Sequence, residues 1–317
     1  MSKESAIEVF GLTKRFGELV AVDHVAFEVK KGELFGFLGP NAAGKTTTIR
    51  MLTGVIKPNE GNARIFGYDI LNEGLKSRQL MGIVPEMSNA YVDLSAWNNI
   101  MLTGELYGIP KKDRQARAEK LLRKVGLYQR KDHLVKTFSR GMKQKLLLCM
   151  ALNNEPRILF LDEPTSGLDV ESQRLIRGMI RELNEEGTTV FLTTHNMEEA
   201  NQLCDNIAII NHGKIVTIDS PEKLKLRSSG LQSIEISFNK EVEVKELMEI
   251  QGINMVRKLG DKWRLYVRTP SEVIVKLVEF TKIRKMKIIS MNTLTPTLED
   301  VFLKLIKEKE KGKAYAE

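Results

Sequence analysis

Lys45 and Thr46 close an eight-residue run, Gly39-Pro40-Asn41-Ala42-Ala43-Gly44-Lys45-Thr46, set between an apolar stretch and a helical one. The spacing GxxxxGK[ST] between strand and helix is that of a phosphate-binding loop. Small residues let successive backbone N–H groups turn inward on one anion, and the following helix adds its positive end. Lys45 is placed to neutralise terminal phosphates and Thr46 to offer its hydroxyl to Mg²⁺. Thr47 is placed to reach the phosphate nearest the sugar. An ordinary glycine-rich turn would not need Lys-Thr-Thr at the helix start.

A second cluster is Asp162-Glu163, just past the apolar run ILFL. On an extended segment adjacent side chains point in opposite directions, so the two acids can serve different targets. Asp162 suits the shell of a Mg²⁺ ion, usually through water, and Glu163 suits polarising an attacking water. The plainer reading is two acids stabilising the next helix through its dipole; the phosphate loop upstream favours the metal. His195 ends a further apolar run, VFLTTH. A single histidine there is usually structural, but all three clusters follow apolar strands. In a parallel sheet such strand ends share one rim, where ligands bind.

The elements that must position these groups are legible as alternation. LFGFL (34–38), ILFL (158–161), TVFLT (189–193) and IAII (207–210) are short and apolar on both faces. They read as strands of a buried, mostly parallel sheet. Helical patterns alternate with them at Lys45–Leu52, Gln144–Asn153, Ser172–Glu185 and Glu198–Leu203, which is the grammar of a doubly wound α/β fold. AIEVFGLTKRF and HVAFEVKKGEL alternate polar and apolar residues and predict a small antiparallel sheet laid on the main one. Residues 95–153 read as an almost wholly helical insertion, with Gly126 ending a helix near 111–125. After Asp219 the grammar changes. Ser220-Pro221 starts a short helix, and Ser228-Ser229-Gly230 reads as a linker. The residues beyond it predict βαββαβ, a ferredoxin-like unit, and a last helix, LEDVFLKLIKEK. The expected domains are thus 1–219, carrying the chemistry, and 220–317, an accessory α+β domain with a dimerisation or regulatory role.

The totals set bounds. A chain of 317 residues suffices for one large domain and one smaller one. It has 42% hydrophobic and 28% charged residues, as a soluble globular protein does. No apolar run reaches the length of a membrane span, and MSKESAIEVFGL lacks the core of a signal peptide. Cys149 and Cys204, without metal-ligand partners nearby, read as buried free thiols in a reducing cytosol. His24, His133 and His212 lie in turn or surface contexts and are assigned no role. The net charge is +8, yet residues 111–145 alone hold 13 Lys and Arg against three acids, a net of +10. Such a block suits an anionic membrane surface or nucleic acid, or is simply a solvated helix face.

Phe138-Ser139-Arg140-Gly141-Met142-Lys143-Gln144 resembles the signature motif of the ATP-binding cassette (ABC) ATPases, and Ser166-Gly167-Leu168-Asp169 resembles their D-loop. From the phosphate loop to His195 the order and spacing match that family's nucleotide-binding domain over roughly residues 5–220. The tail TPTLEDVFLKL (295–305) resembles the end of ATPase subunits serving drug, polysaccharide, lipid and ion exporters whose membrane domains are separate chains. The resemblance implies a P-loop NTPase core with an antiparallel β subdomain and a helical insertion. It implies ATP and Mg²⁺ as ligands, with Lys45, Glu163 and His195 catalytic and Gly39 to Thr47 cradling the nucleotide. Thr46, Glu86 and Asp162 would serve the metal, and Phe16 would stack on adenine, unless it is a core residue. In the family two such domains meet head to tail over two ATPs, so Ser139 and Gly141 would complete the partner's site. His195 would sense the γ-phosphate and Asp169 would couple the two sites.

Three positions depart from the family pattern. Ala42 replaces a common glycine, a source of strain if the loop needs positive φ there. Glu86 stands where glutamine is usual, and Arg140 replaces the first glycine of the signature, so its side chain must point away from the nucleotide or onto a phosphate. The motor motifs come without a pore. The expectation is therefore an ATPase subunit on the cytoplasmic face of the membrane, in a homodimer or heterodimer, driving a separate permease. The rival is a soluble ABC ATPase acting on nucleic acid or ribosomes. Only 93 residues separate Lys45 from Ser139, which leaves no space for the long coiled-coil or zinc insertions of chromosome and repair members. A single cassette also differs from the paired ones of translation factors, so no nucleic acid is expected.

Overall fold

The computed structural model describes residues 5–227, 232–294 and 297–302. The Ser228-Ser229-Gly230 linker, residues 295–296 and the last helix beyond residue 302 lie outside the described residues. The chain divides after Ser220 into two compact units.

The first unit runs through β1 (Ser5–Phe16), β2 (Leu19–Lys30), β3 (Leu34–Leu38), α1 (Lys45–Leu52), β4 (Glu60–Ile65), β5 (Tyr68–Asp69), α2 (Gly74–Gln79) and β6 (Met81–Val84). It continues with α3 (Ala96–Leu106), α4 (Lys111–Lys124), α5 (Arg140–Leu152), β7 (Ile158–Asp162), α6 (Val170–Glu185), β8 (Thr189–Thr194), α7 (Met197–Leu203), β9 (Asn206–Asn211) and β10 (Lys214–Asp219). Two sheets result. One is antiparallel, ordered β2-β1-β4-β5, and the other has six strands ordered β10-β9-β3-β8-β7-β6. In the second, β9, β3, β8, β7 and β6 are parallel and β10 pairs antiparallel at the edge.

Strands β3, β7 and β8 are buried at every residue, as their unbroken apolar runs require. Phe27 of β2 joins the sheets. Its ring stacks on Phe35 at 5.5 Å and on Phe191 at 5.8 Å. Phe37 and Phe160 also lie against Phe191. Burying each such ring contributes about 2–3 kcal/mol, and Phe27→Ala would cost about 3–5 kcal/mol by leaving a hole between the sheets.

The sheet exceeds the sequence reading by two strands, β6 and β10. The β6 sequence MGIV is four residues long, and its glycine gives it little strand signal. Gly82 is nonetheless required, since a Cβ there would lie 2.6 Å from the Ala151 carbonyl oxygen. Helix α5 starts at Arg140, four residues earlier than its apolar pattern, because Ser139 caps it and accepts from Met142 N.

The second unit holds α8 (Pro221–Arg227), β11 (Gln232–Phe238), α9 (Val244–Met248), β12 (Ile253–Leu259), β13 (Lys262–Val267), α10 (Pro270–Ile283) and β14 (Ile288–Leu294). From β11 the order is βαββαβ, and the antiparallel sheet runs β12-β13-β11-β14, a split-βαβ arrangement. Ile234, Ile236, Leu265, Val267, Leu247 and Leu277 form its core.

Candidate active site

The order β3-β8-β7 brings three carboxyl ends to one rim. Gly39 N donates to Thr194 O across the first pair (3.3 Å), and Glu163 N donates to Thr193 O across the second (3.0 Å). The phosphate loop, the acidic pair and His195 therefore meet there, as their positions after apolar strands predict.

The loop after β3 is shaped by close backbone approach. A Cβ on Gly39 would lie 2.4 Å from Ile210 O, and one on Gly44, at φ 106°, would lie 2.6 Å from Ala21 O. Lys45 reaches back across the bend, its Nζ donating to Gly39 O at 2.8 Å and Pro40 O at 3.0 Å. Helix α1 makes its first backbone bond from Thr48 N to Gly44 O. The N–H groups of Lys45, Thr46 and Thr47 are thus the orphan donors of a helix N-terminus, where an anion is favoured. Ala42 has φ 62°, so the strain contingent on that conformation is present.

A cleft of about 390 Å³ opens over this bend. It is lined by Asn41, Ala42, Ala43, Gly44, Lys45, Thr46 and Thr47, together with Phe16, Glu86 and Glu163. Phe16 is 51% exposed, so it is not a core residue, and Lys14 Nζ lies over its ring at 5.4 Å.

Below the loop, Thr46 Oγ1 donates to Asp162 Oδ1 at 3.3 Å, and Thr193 Oγ1 bonds the same carboxylate oxygen. A hydroxyl and a carboxylate side by side are the hard oxygen donors that Mg²⁺ takes. Among the described residues no three His, Cys, Asp or Glu gather as a ligand cluster. Mg²⁺ held by one or two side chains, water and substrate phosphates needs none, so the residues present fit that ion.

Glu163 differs from the extended geometry expected of it. Strand β7 ends at Asp162, and Glu163 sits at φ 50°, in the left-handed region. The twist keeps its side chain buried at the rim between two partners. Oε1 is 3.2 Å from Lys45 Nζ, an ion pair without a hydrogen bond, and Oε2 is 2.8 Å from His195 Nδ1. An ionised carboxylate only accepts, so Nδ1 carries the proton and Nε2 is the ring's free face. His195 is half exposed.

Ser139 and Gly141 do not line this cleft. A Cβ on Gly141 would lie 2.6 Å from Ser172 Oγ and 3.3 Å from Asp169 Oδ2. Asp169 caps α6 by accepting from Ser172 N and Ser172 Oγ, which hold its carboxyl below the ordinary value. The Arg140 guanidinium lies over Gly167, in the segment that resembles the D-loop.

Residues 22–166 match the family model described as ABC transporter. The chain is 34% identical to Nod factor export ATP-binding protein I of Ralstonia nicotianae, over 94% of this chain and 93% of that one. The chain belongs to the family of ABC transporter ATP-binding proteins. It is likewise 34% identical to linearmycin resistance ATP-binding protein LnrL of Bacillus subtilis, over 94% of this chain and 97% of that one. The fold matches the dimeric ATP-binding cassette MJ0796 in a post-hydrolysis state with ADP and phosphate, at a TM-score of 0.63 and 26% identity, covering 68% of this chain and 98% of that one.

This ABC protein is accordingly an ATP-binding and ATP-hydrolysing transporter subunit with a P-loop NTPase core. The MJ0796 cassette is a dimer in that structure. No helix among its described residues is long and apolar enough to cross a membrane. These relatives do not favour the reading as an ATPase acting on nucleic acid or ribosomes. Thr193, whose hydroxyl ties β8 to Asp162 at the end of β7, escapes a reading of the sequence alone. A threonine in a β-branched strand run carries no signal that its hydroxyl is engaged.

Proposed function

We propose that this ABC subunit closes head to tail with a second cassette over two ATP molecules and opens when they are hydrolysed, driving a separate membrane permease in export. The observation that carries the reading is the line Lys45–Glu163–His195, with contacts of 3.2 and 2.8 Å at the rim of the loop. Residues Gly39 to Thr47 hold the phosphates, Lys45 neutralises the terminal ones, and Phe16 stacks on the adenine. Thr46 and Asp162 hold Mg²⁺, with Glu86 beside them. Bound there, Mg²⁺ supplies charge neutralisation at the phosphate oxygens. Glu163 takes the proton of the attacking water through Oε1, the oxygen left without a hydrogen bond. His195 fixes the other oxygen and turns Nε2 toward the γ-phosphate position.

Ser139 and the N–H groups after it complete the partner cassette's site, which accords with their absence from this chain's cleft. The partner cassette is a second copy or a related chain. Residues 1–219 form the motor, and 220–317 an accessory domain serving dimerisation or regulation. Export is the direction named for Nod factor export ATP-binding protein I. The subunit sits on the cytoplasmic face of the membrane, where its basic helical block meets anionic lipid at about 1 kcal/mol per Lys or Arg.

Cell fractionation with and without the co-expressed permease tests this. Recovery in the membrane fraction only when the permease is present supports it. Co-sedimentation with ribosomes or DNA instead would overturn it.

A further inference from the structure

The D-loop is held from behind by a residue with no assigned part in the chemistry. Glu199, in α7 just after His195, is 1% exposed. A buried carboxylate persists only when it is paired and hydrogen-bonded. Its Oε1 accepts from Thr165 Oγ1 at 2.5 Å and lies 3.4 Å from Arg177 Nε. Its backbone N–H donates to Asn196 Oδ1 at 3.0 Å, which fixes the residue to the turn that carries His195. Thr165 opens the segment that runs through Gly167 to Asp169. That segment is gripped from a second side by Gln173, whose Nε2 donates to Thr165 O at 3.4 Å and Leu168 O at 3.0 Å. Its far end meets the signature turn, where Arg140 overlies Gly167 and Gly141 abuts Asp169 and Ser172.

We infer that Glu199 is a positioning residue that ties the His195 segment to the D-loop, so that the state of one ATP site is relayed to the signature turn serving the other. The inference rests on the proposed two-site closure. A displacement of His195 pulls Asn196 and the first turn of α7, Glu199 carries it to Thr165, and the constrained loop passes it to Asp169 and Gly141. Arg177 contacts the same oxygen and keeps the buried charge balanced, so the Thr165 bond can be removed without leaving the carboxylate alone.

The test uses the purified full chain, with ATPase rate against ATP concentration and thermal melting as paired readouts. Thr165→Val keeps shape and removes only the hydroxyl. It should lower kcat by about tenfold and turn a sigmoidal ATP dependence hyperbolic, with Tm within about 2 °C of wild type. Glu199→Gln, which keeps an acceptor oxygen, should retain the sigmoidal curve. Glu199→Ala should behave as Thr165→Val, and the pair combined should be no worse than Glu199→Ala alone. If Glu199→Ala does not fold, Thr165→Val decides. A sigmoidal curve and wild-type kcat in Thr165→Val, or losses confined to Tm, would overturn the inference. Dimerisation of Glu163→Gln on ATP reports separately on two-site closure. If that dimer forms while Thr165→Val is unaffected, only the role of Glu199 falls.

Discussion

Lys45 Nζ lies 3.2 Å from Glu163 Oε1, and both side chains are more than nine-tenths buried. Two groups expected to serve different ends of the reaction therefore neutralise one another. Lys45 also spans the bend through Gly39 O and Pro40 O. In the proposed cycle the lysine exchanges its carboxylate for a phosphate, which frees Glu163 Oε1 for water.

Removing the lysine alone leaves Glu163 buried with only His195. Lys45→Met should destabilise the nucleotide-free protein by about 3 kcal/mol, the scale for breaking a buried pair. Adding Glu163→Gln should recover about 1 kcal/mol or more, the coupling expected of contacting groups. Urea unfolding of the four proteins checks this. Additive losses would mean that the ion pair contributes no net stability.

Ala42 is held at φ 62°. Ala42→Gly relieves strain of about 1–2 kcal/mol and gives back about 0.4–1 kcal/mol of chain entropy. A small net gain in stability is expected, read as a rise in Tm. A fall in Tm would show that the loop gains more from the alanine's stiffness than it loses to strain.

Much of the fold and site is legible in the residues, and the failures have physical causes. LFGFL and VFLTTH announce buried parallel strands, and Gly39-to-Thr46 announces an anion-binding turn, because spacing and residue type dictate both. Glu163 reads as extended in the sequence because its left-handed φ is imposed by the junction of β7 with the turn beyond, not by the glutamate itself. Glu199 is invisible there for a similar reason. On a helix a lone acid reads as a solvated residue, and only the approach of Thr165 and Arg177 from elsewhere in the chain reveals its burial.

Glu86 lines the cleft beside Thr46 and Glu163 and is exposed. Glu86→Gln keeps an oxygen donor and removes one negative charge near the phosphates. ATPase activity should hold or rise, measured as phosphate release under saturating ATP. Complete loss would show that this carboxylate takes part in the chemistry.

Both cysteines are buried and unpaired. Burial in apolar surroundings disfavours the thiolate, pushing Cys149 up to about 12 and Cys204 well above its ordinary value. The nucleophile is the thiolate, which appears only as pH rises through those values. Near neutral pH a thiol reagent should therefore leave the folded protein unlabelled and should label both cysteines in denaturant. Rapid labelling of the native chain would show that α5 or α7 opens.

The most direct test of nucleotide-driven closure is the mass of Glu163→Gln in solution by light scattering, with ATP and Mg²⁺ and without. The substitution keeps the shape of Glu163 but not its basicity, so ATP should bind, turnover should stall and the mass should double. A chain that binds ATP yet keeps the mass of a single cassette would contradict closure of two copies of this chain over nucleotide, and one that still hydrolyses at the wild-type rate would contradict Glu163 as the base.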